Sequence, residues 1–204
     1  MIAEIFLGGF YSLLTQVCLT YMSKSDDLQR ALASGRLRTL PMRSQSDAEL
    51  RVVLLSEEVS SLVLGPYLTD AHAIRANMLR SDLESFVKGS VVSMSLTPKK
   101  AKTANFGLLK PISAATFDFR SREPSPSIRI LGHFLEADKF VALTWRPKRV
   151  QVNWSNRIPL GDDERLWAIA MHECQEKWFD ILPNCVPACG NRGNVYVSNK
   201  LFIV

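Results

Sequence analysis

The sequence predicts an α+β fold: N-terminal helices, a small twisted antiparallel sheet, and a long C-terminal helix packed on that sheet. Three observations carry this reading. Residues after Gly89 change from helical spacing to alternation, three short apolar runs then follow with turn residues between them, and one apolar stripe at one-turn spacing extends from Leu166 to Ile181. With 204 residues, 47% of them hydrophobic, the chain can bury a core in one domain or at most two small ones. Ten Gly and ten Pro without a period exclude collagen-like and low-complexity classes.

The first 22 residues are the most apolar stretch, yet they contain Glu4 and Gln16 and lack both a Lys/Arg-rich start and a small-residue cleavage site. They read as a buried or partner-facing helix in preference to a membrane anchor, so no membrane span is expected; a later start at Met22, Met42 or Met78 is the other reading. Residues 1–45 are thus expected to form this helix and a polar linker, the linker holding one short helical run from Asp27 to Ala33 that Gly35 ends. Residues 46–204 are expected to form a single α+β domain with a C-terminal β extension.

Ser46 and Glu49 have capping-box spacing and open a helix with Leu50, Val53, Leu54 and Leu62 apolar, closed by Gly65 and Pro66. A second helix covers Thr69 to Lys88, with Ile74, Met78, Leu83 and Phe86 about one turn apart. Ser90 to Leu96 alternates as a strand, Thr116 to Arg120 alternates strictly, and Ile128 to Leu131 does so again. Phe140 to Trp145 is an apolar run of strand length behind the turn-like Glu136 to Lys139. Asp162, Asp163 and Glu164 suit the positive end of the last helix, which Pro183 ends. Asn194 to Ser198 and Leu201 to Val204 read as terminal strands.

The formal net charge of +5 is unevenly distributed. Residues 78–157 carry fourteen Lys/Arg against six Asp/Glu, while both flanks are slightly acidic. Arg120, Arg122, Arg129, Arg146, Lys148 and Arg149 fall on or just beyond successive strands, where they can converge on phosphates; Lys110 precedes them, and Trp145 and Trp154 are placed to stack on unpaired bases. The expected partner is therefore nucleic acid, RNA in preference to DNA.

No phosphate-cradling glycine motif is present. His172 to Glu176 lacks the second histidine of a metalloprotease helix. His172, Cys174, Cys185 and Cys189 have poor zinc spacing, so neither a metal nor another cofactor is expected. Four cysteines are too few for a disulfide scaffold and fit a cytoplasmic chain. His133 follows an alternating strand inside the basic region, where it can serve as acid or base on a ribose hydroxyl or a leaving 5′-oxygen, with Arg129 and Arg146 stabilising the charge that develops on phosphate.

The succession Phe106 to Ile112, Thr116 to Arg120, Ile128 to Leu131, Phe140 to Leu143 and the basic Arg146 to Arg149 resembles the sheet of phage- and plasmid-borne toxins of the RelE/HigB-like superfamily, over residues 69–182. The resemblance implies a compact α+β domain that binds messenger RNA on its sheet and cleaves it without a metal. Arg120 and Arg129 would stand for the strand arginines, and Arg146, Lys148 and Arg149 for the basic turn. Leu131 stands where that family often has tyrosine, and Asp118 where it has glutamate. The expected function is a basic nucleic-acid-binding accessory protein of a mobile element or phage. The alternatives are a metal-independent endoribonuclease toxin, which implies an antitoxin partner, and a structural or assembly protein that self-associates through residues 1–22.

Overall fold

The computed structural model describes residues 25–44, 48–67, 69–98, 103–148, 158–161 and 163–204. Helix α1 occupies residues 25–33. Strands β1 (Leu37–Thr39) and β2 (Val52–Ser56) follow, then helices α2 (Glu57–Leu64) and α3 (Asp70–Val87). The middle of the chain supplies β3 (Val92–Ser95), β4 (Phe106–Leu108), β5 (Phe117–Ser121), β6 (Ile128–Glu136) and β7 (Lys139–Pro147); α4 (Glu164–Ile181) and β8 (Leu201–Ile203) complete it.

All eight strands lie in one mixed sheet, in the order β1-β2-β7-β6-β5-β4-β3-β8. This corrects the expected small antiparallel sheet headed by N-terminal helices. The β4-β5-β6-β7 centre is antiparallel, but β2 pairs in parallel with β7, and β3 in parallel with both β4 and β8.

The parallel strand β2 lies inside the segment whose sequence reads as a helix. Val53 and Leu55 enter the core on one face of the sheet and Leu54 the core on the other, so this strand shows a continuous apolar run with no alternation to betray it. The helix starts only after it, where the Ser56 side chain accepts the N–H of Val59. Within the segment read as a linker, the short helical run expected from Asp27 to Ala33 is α1, whereas β1 has no counterpart in the sequence reading. Residues 194–198 are not a strand: a 3-10 turn at Gly193–Val195 places Tyr196 and Val197 in the core, with the Tyr196 hydroxyl bonded to Gly190.

Helices α2 and α3 cover one face of the sheet, burying Val59, Val63, Leu79, Leu83 and Phe86 against a phenylalanine cluster of β4, β5, β6 and β7. Helices α1 and α4 cover the other, where Ala31, Ala170, Cys174 and Trp178 meet Leu131, Val141 and Leu143. The β6-β7 hairpin carries a bulge between Leu131 and Gly132. A Cβ at Gly132 would lie 2.0 Å from the Val141 carbonyl oxygen, so the bulge requires glycine. No helix among the described residues is long and apolar enough to cross a membrane.

Candidate nucleic-acid interface

Strand pleating places Arg120, Arg129 and Arg146 in a row. Arg120 of β5 pairs in register with Arg129 of β6, which pairs with Arg146 of β7. Their neighbours Phe119, Ile128, Ile130 and Trp145 belong to the core beneath the opposite face, so all three arginines project from the face that carries α4. Paired Cβ atoms on one face lie about 5 Å apart, so like charges in this arrangement repel unless a counter-charge intervenes.

Asp118 supplies it. Arg120 donates Nε to its Oδ2 at 2.8 Å and Nη2 to its Oδ1 at 3.0 Å, and Arg129 donates Nη1 to Oδ2 at 3.3 Å. The Asp118 side chain is 1% exposed. Burial raises its pKa, against the pull of the two guanidiniums, which favour the carboxylate. Burial also lowers the pKa of Arg129, helped by repulsion from Arg120 and Arg122 and opposed by Asp118. Gly107, opposite Asp118 on β4, leaves room for the Arg120 guanidinium: a Cβ there would stand 2.0 Å from Nη2.

Arg146 donates to the carbonyl of Trp145 at 2.8 Å and pairs with Glu173 of α4; Glu58 of α2 lies 3.8 Å away. Two further cations sit at the same end of the sheet, Arg122 bonded to the Ala104 carbonyl at 2.6 Å and Lys148 bonded to the Gly161 carbonyl and 5.5 Å from the Trp167 ring centroid. The Nε of Arg129 and the Oγ1 of Thr144, the latter paired with Leu131 on the face of the row, are buried without a hydrogen-bond partner.

Arg120, Arg122, Arg129, Arg146 and Lys148 are therefore brought together. Three other expected residues are not. Lys110 is exposed beyond β4 at the opposite end of the strands, since Leu109 bonds there to Thr116. Trp145 turns its ring to the other face. His133 is a core residue beneath α4: its Nδ1 lies 3.1 Å from the Ala115 carbonyl, its Nε2 3.7 Å from the Cys174 Sγ, and its ring packs edge-on against Trp178. Burial lowers its pKa to about 4 and pushes the Cys174 thiol up, so both are neutral, with Nδ1–H donating to Ala115 and the thiol donating to Nε2. This imidazole cannot reach a solvent-borne phosphate or ribose. Arg149, Trp154 and the partner segment 1–22 lie outside the described residues.

The sequence reading missed Asp118, Glu173 and Glu58, the carboxylates that orient the row. Asp118 had a signal, since a carboxylate two residues before Arg120 on one strand shares its face. Glu58 and Glu173 arrive through tertiary packing alone. Among the described residues no three His, Cys, Asp or Glu side chains gather as a metal site. Comparison with protein-family models, curated proteins and solved structures gives no match to this chain.

Proposed function

We propose that this protein binds nucleic acid, RNA in preference to DNA, with the phosphate backbone lying along the Arg120–Arg129–Arg146 row. The observation that carries this reading is the in-register placement of three guanidiniums on three adjacent strands, extended at the same strand ends by Arg122 and Lys148. Asp118 and Glu173 hold the Arg120 and Arg146 guanidiniums in fixed orientations, so an approaching phosphate meets positive charge that is already ordered. The cations outnumber the carboxylates, so an anion gains more here than the carboxylates repel.

Binding is favoured over strand cleavage, the function implied by the resemblance to RelE/HigB-like toxins. The row offers charge stabilisation, but the histidine that would move the proton is in the core. The test is fluorescence anisotropy with labelled single-stranded RNA across a salt series. The logarithm of affinity should fall linearly with that of salt, and Arg122→Ala and Lys148→Ala should each reduce the slope by about one unit. Absence of binding at low salt would overturn the reading, and RNA cleavage in the presence of EDTA would replace it with the nuclease.

A further inference from the structure

Resting on the nucleic-acid reading, we infer that the pocket beside the stretch of β7 that β2 does not cover receives one unpaired nucleobase that carries an exocyclic amine, which makes the protein a single-strand binder. The pocket follows from the topology. β2 pairs with β7 only as far as Leu55 and Ala142, while β7 runs on to Pro147. Beyond that point the chain turns into α2, and two side chains of the turn saturate the uncovered strand edge: the Ser56 hydroxyl donates to the Leu143 carbonyl at 2.7 Å, and Glu58 accepts the Trp145 N–H at 3.1 Å. Between this turn, the C-terminal half of α4 and Arg36 lies an open pocket of about 610 Å³, within the size range of small-ligand sites.

Its lining combines what a base requires. Trp145, Leu62 and Ile181 provide an apolar floor, and the rim carries Ser61 and three carboxylates, of which Glu58 pairs with Lys177 and Asp180 with Arg36, while Glu57 stands beside them as a further acceptor. An ionised carboxylate only accepts hydrogen bonds, so Glu57 favours the amines of adenine, cytosine and guanine over uracil, which has none. The pocket shares a wall with the arginine row. One oxygen of Glu58 pairs with Lys177 inside the pocket, while the other is 3.8 Å from Arg146 on the far face. A strand whose phosphate rests on Arg146 thus passes only Glu58 before its base meets the pocket. A duplex, with both bases paired and stacked, cannot make this contact without flipping one out.

The experiment measures anisotropy of labelled oligo(C), oligo(U) and an RNA duplex with the full chain and with two variants, each checked for unchanged thermal unfolding. Ser61→Trp fills the pocket from an exposed position on α2, and Glu57→Gln removes the Glu57 carboxylate while keeping its shape and leaving the paired Glu58 and Asp180 in place. The wild type should bind oligo(C) about tenfold tighter than either oligo(U) or duplex. Ser61→Trp should bring oligo(C) down to the duplex level, and Glu57→Gln should erase most of the difference between C and U. Equal binding of all three probes by the wild type, or an unchanged oligo(C) affinity in Ser61→Trp, would overturn the pocket; if Arg122→Ala still weakens binding, the phosphate reading survives that result. Failure of every probe to bind at low salt would overturn both.

Discussion

Arg120 and Arg129 face each other in register across β5 and β6, and both donate to one carboxylate, Asp118, two residues before Arg120 on its own strand. Asp118 lies within the sheet's layer of buried groups, and its ionised form is stabilised by the two guanidiniums that need it as a counter-charge.

Asp118→Asn should therefore cost about 3 kcal/mol, the scale of breaking a buried ion pair by removing one partner. Shape is retained, so the loss reads as electrostatic. Urea unfolding should show a lower midpoint with an unchanged slope. A change below about 0.5 kcal/mol would show that solvent screens the pair.

How legible this was in the sequence differs from element to element. The strict alternation of Phe117 to Arg120 and of Ile128 to Leu131 revealed the antiparallel centre, and with it the shared face of the arginines. β2 was illegible because burial on both faces removes alternation, and β1 because its three residues include Arg38 and Thr39, both exposed at the sheet edge. In α3, Ile74 and Met78 were expected inside; they are exposed, and Arg75 and Ala76 face the core in their place. A sequence pattern counts a buried arginine as polar, so the face it predicts is rotated. His133 misled for a similar reason, since basic neighbours in the chain do not reveal that α4 roofs this position.

The burial of His133 makes stability depend on pH. Its pKa is about 4 in the folded protein against 6.5 in its absence, so the unfolded chain binds a proton more readily between those values. The contribution of neutral His133 is fully present above pH 6.5 and is lost as pH falls toward 4, by about 3 kcal/mol over the interval. His133→Asn, which cannot take up a proton, should lower stability at pH 7 but show a flatter decline between pH 6.5 and 4. Unfolding midpoints for both proteins at several pH values in that window decide it; parallel declines would assign the acid lability to other groups.

Two glycines should respond differently to the same substitution. At Gly132 the new Cβ meets a backbone oxygen at 2.0 Å, which cannot move without disturbing the β6-β7 ladder, so Gly132→Ala should cost about 3 kcal/mol. At Gly107 it meets side chains, Arg120 Nη2 at 2.0 Å and the buried Asp118 Oδ1 at 2.5 Å, so the ion pair itself has to shift, and Gly107→Ala should cost about 2 kcal/mol through the weakened contacts of Asp118. Double-mutant analysis provides the check: Gly107→Ala should be non-additive with Arg120→Met, and Gly132→Ala additive with it.

Arg75 fixes the strand end on which the candidate interface stands. Its guanidinium is 1% exposed and donates to the Pro126 carbonyl at 2.7 Å, the Ser121 carbonyl at 2.7 Å and the Ser121 hydroxyl at 3.0 Å, tying α3 to the end of β5 and to the loop before β6. Arg120 and Arg122 flank Ser121. Lysine has three donors on one nitrogen and cannot span these three acceptors with the geometry of a planar fork. Arg75→Lys should thus leave at least one buried carbonyl unpaired, at a cost of about 1–3 kcal/mol. It should also weaken RNA binding, although the side chain projects to the face opposite the arginine row, because β5 loses its anchor and Arg120 and Arg122 lose their fixed spacing. Full RNA affinity in a measurably destabilised Arg75→Lys protein would show that the row is positioned by the β5-β6-β7 ladder alone.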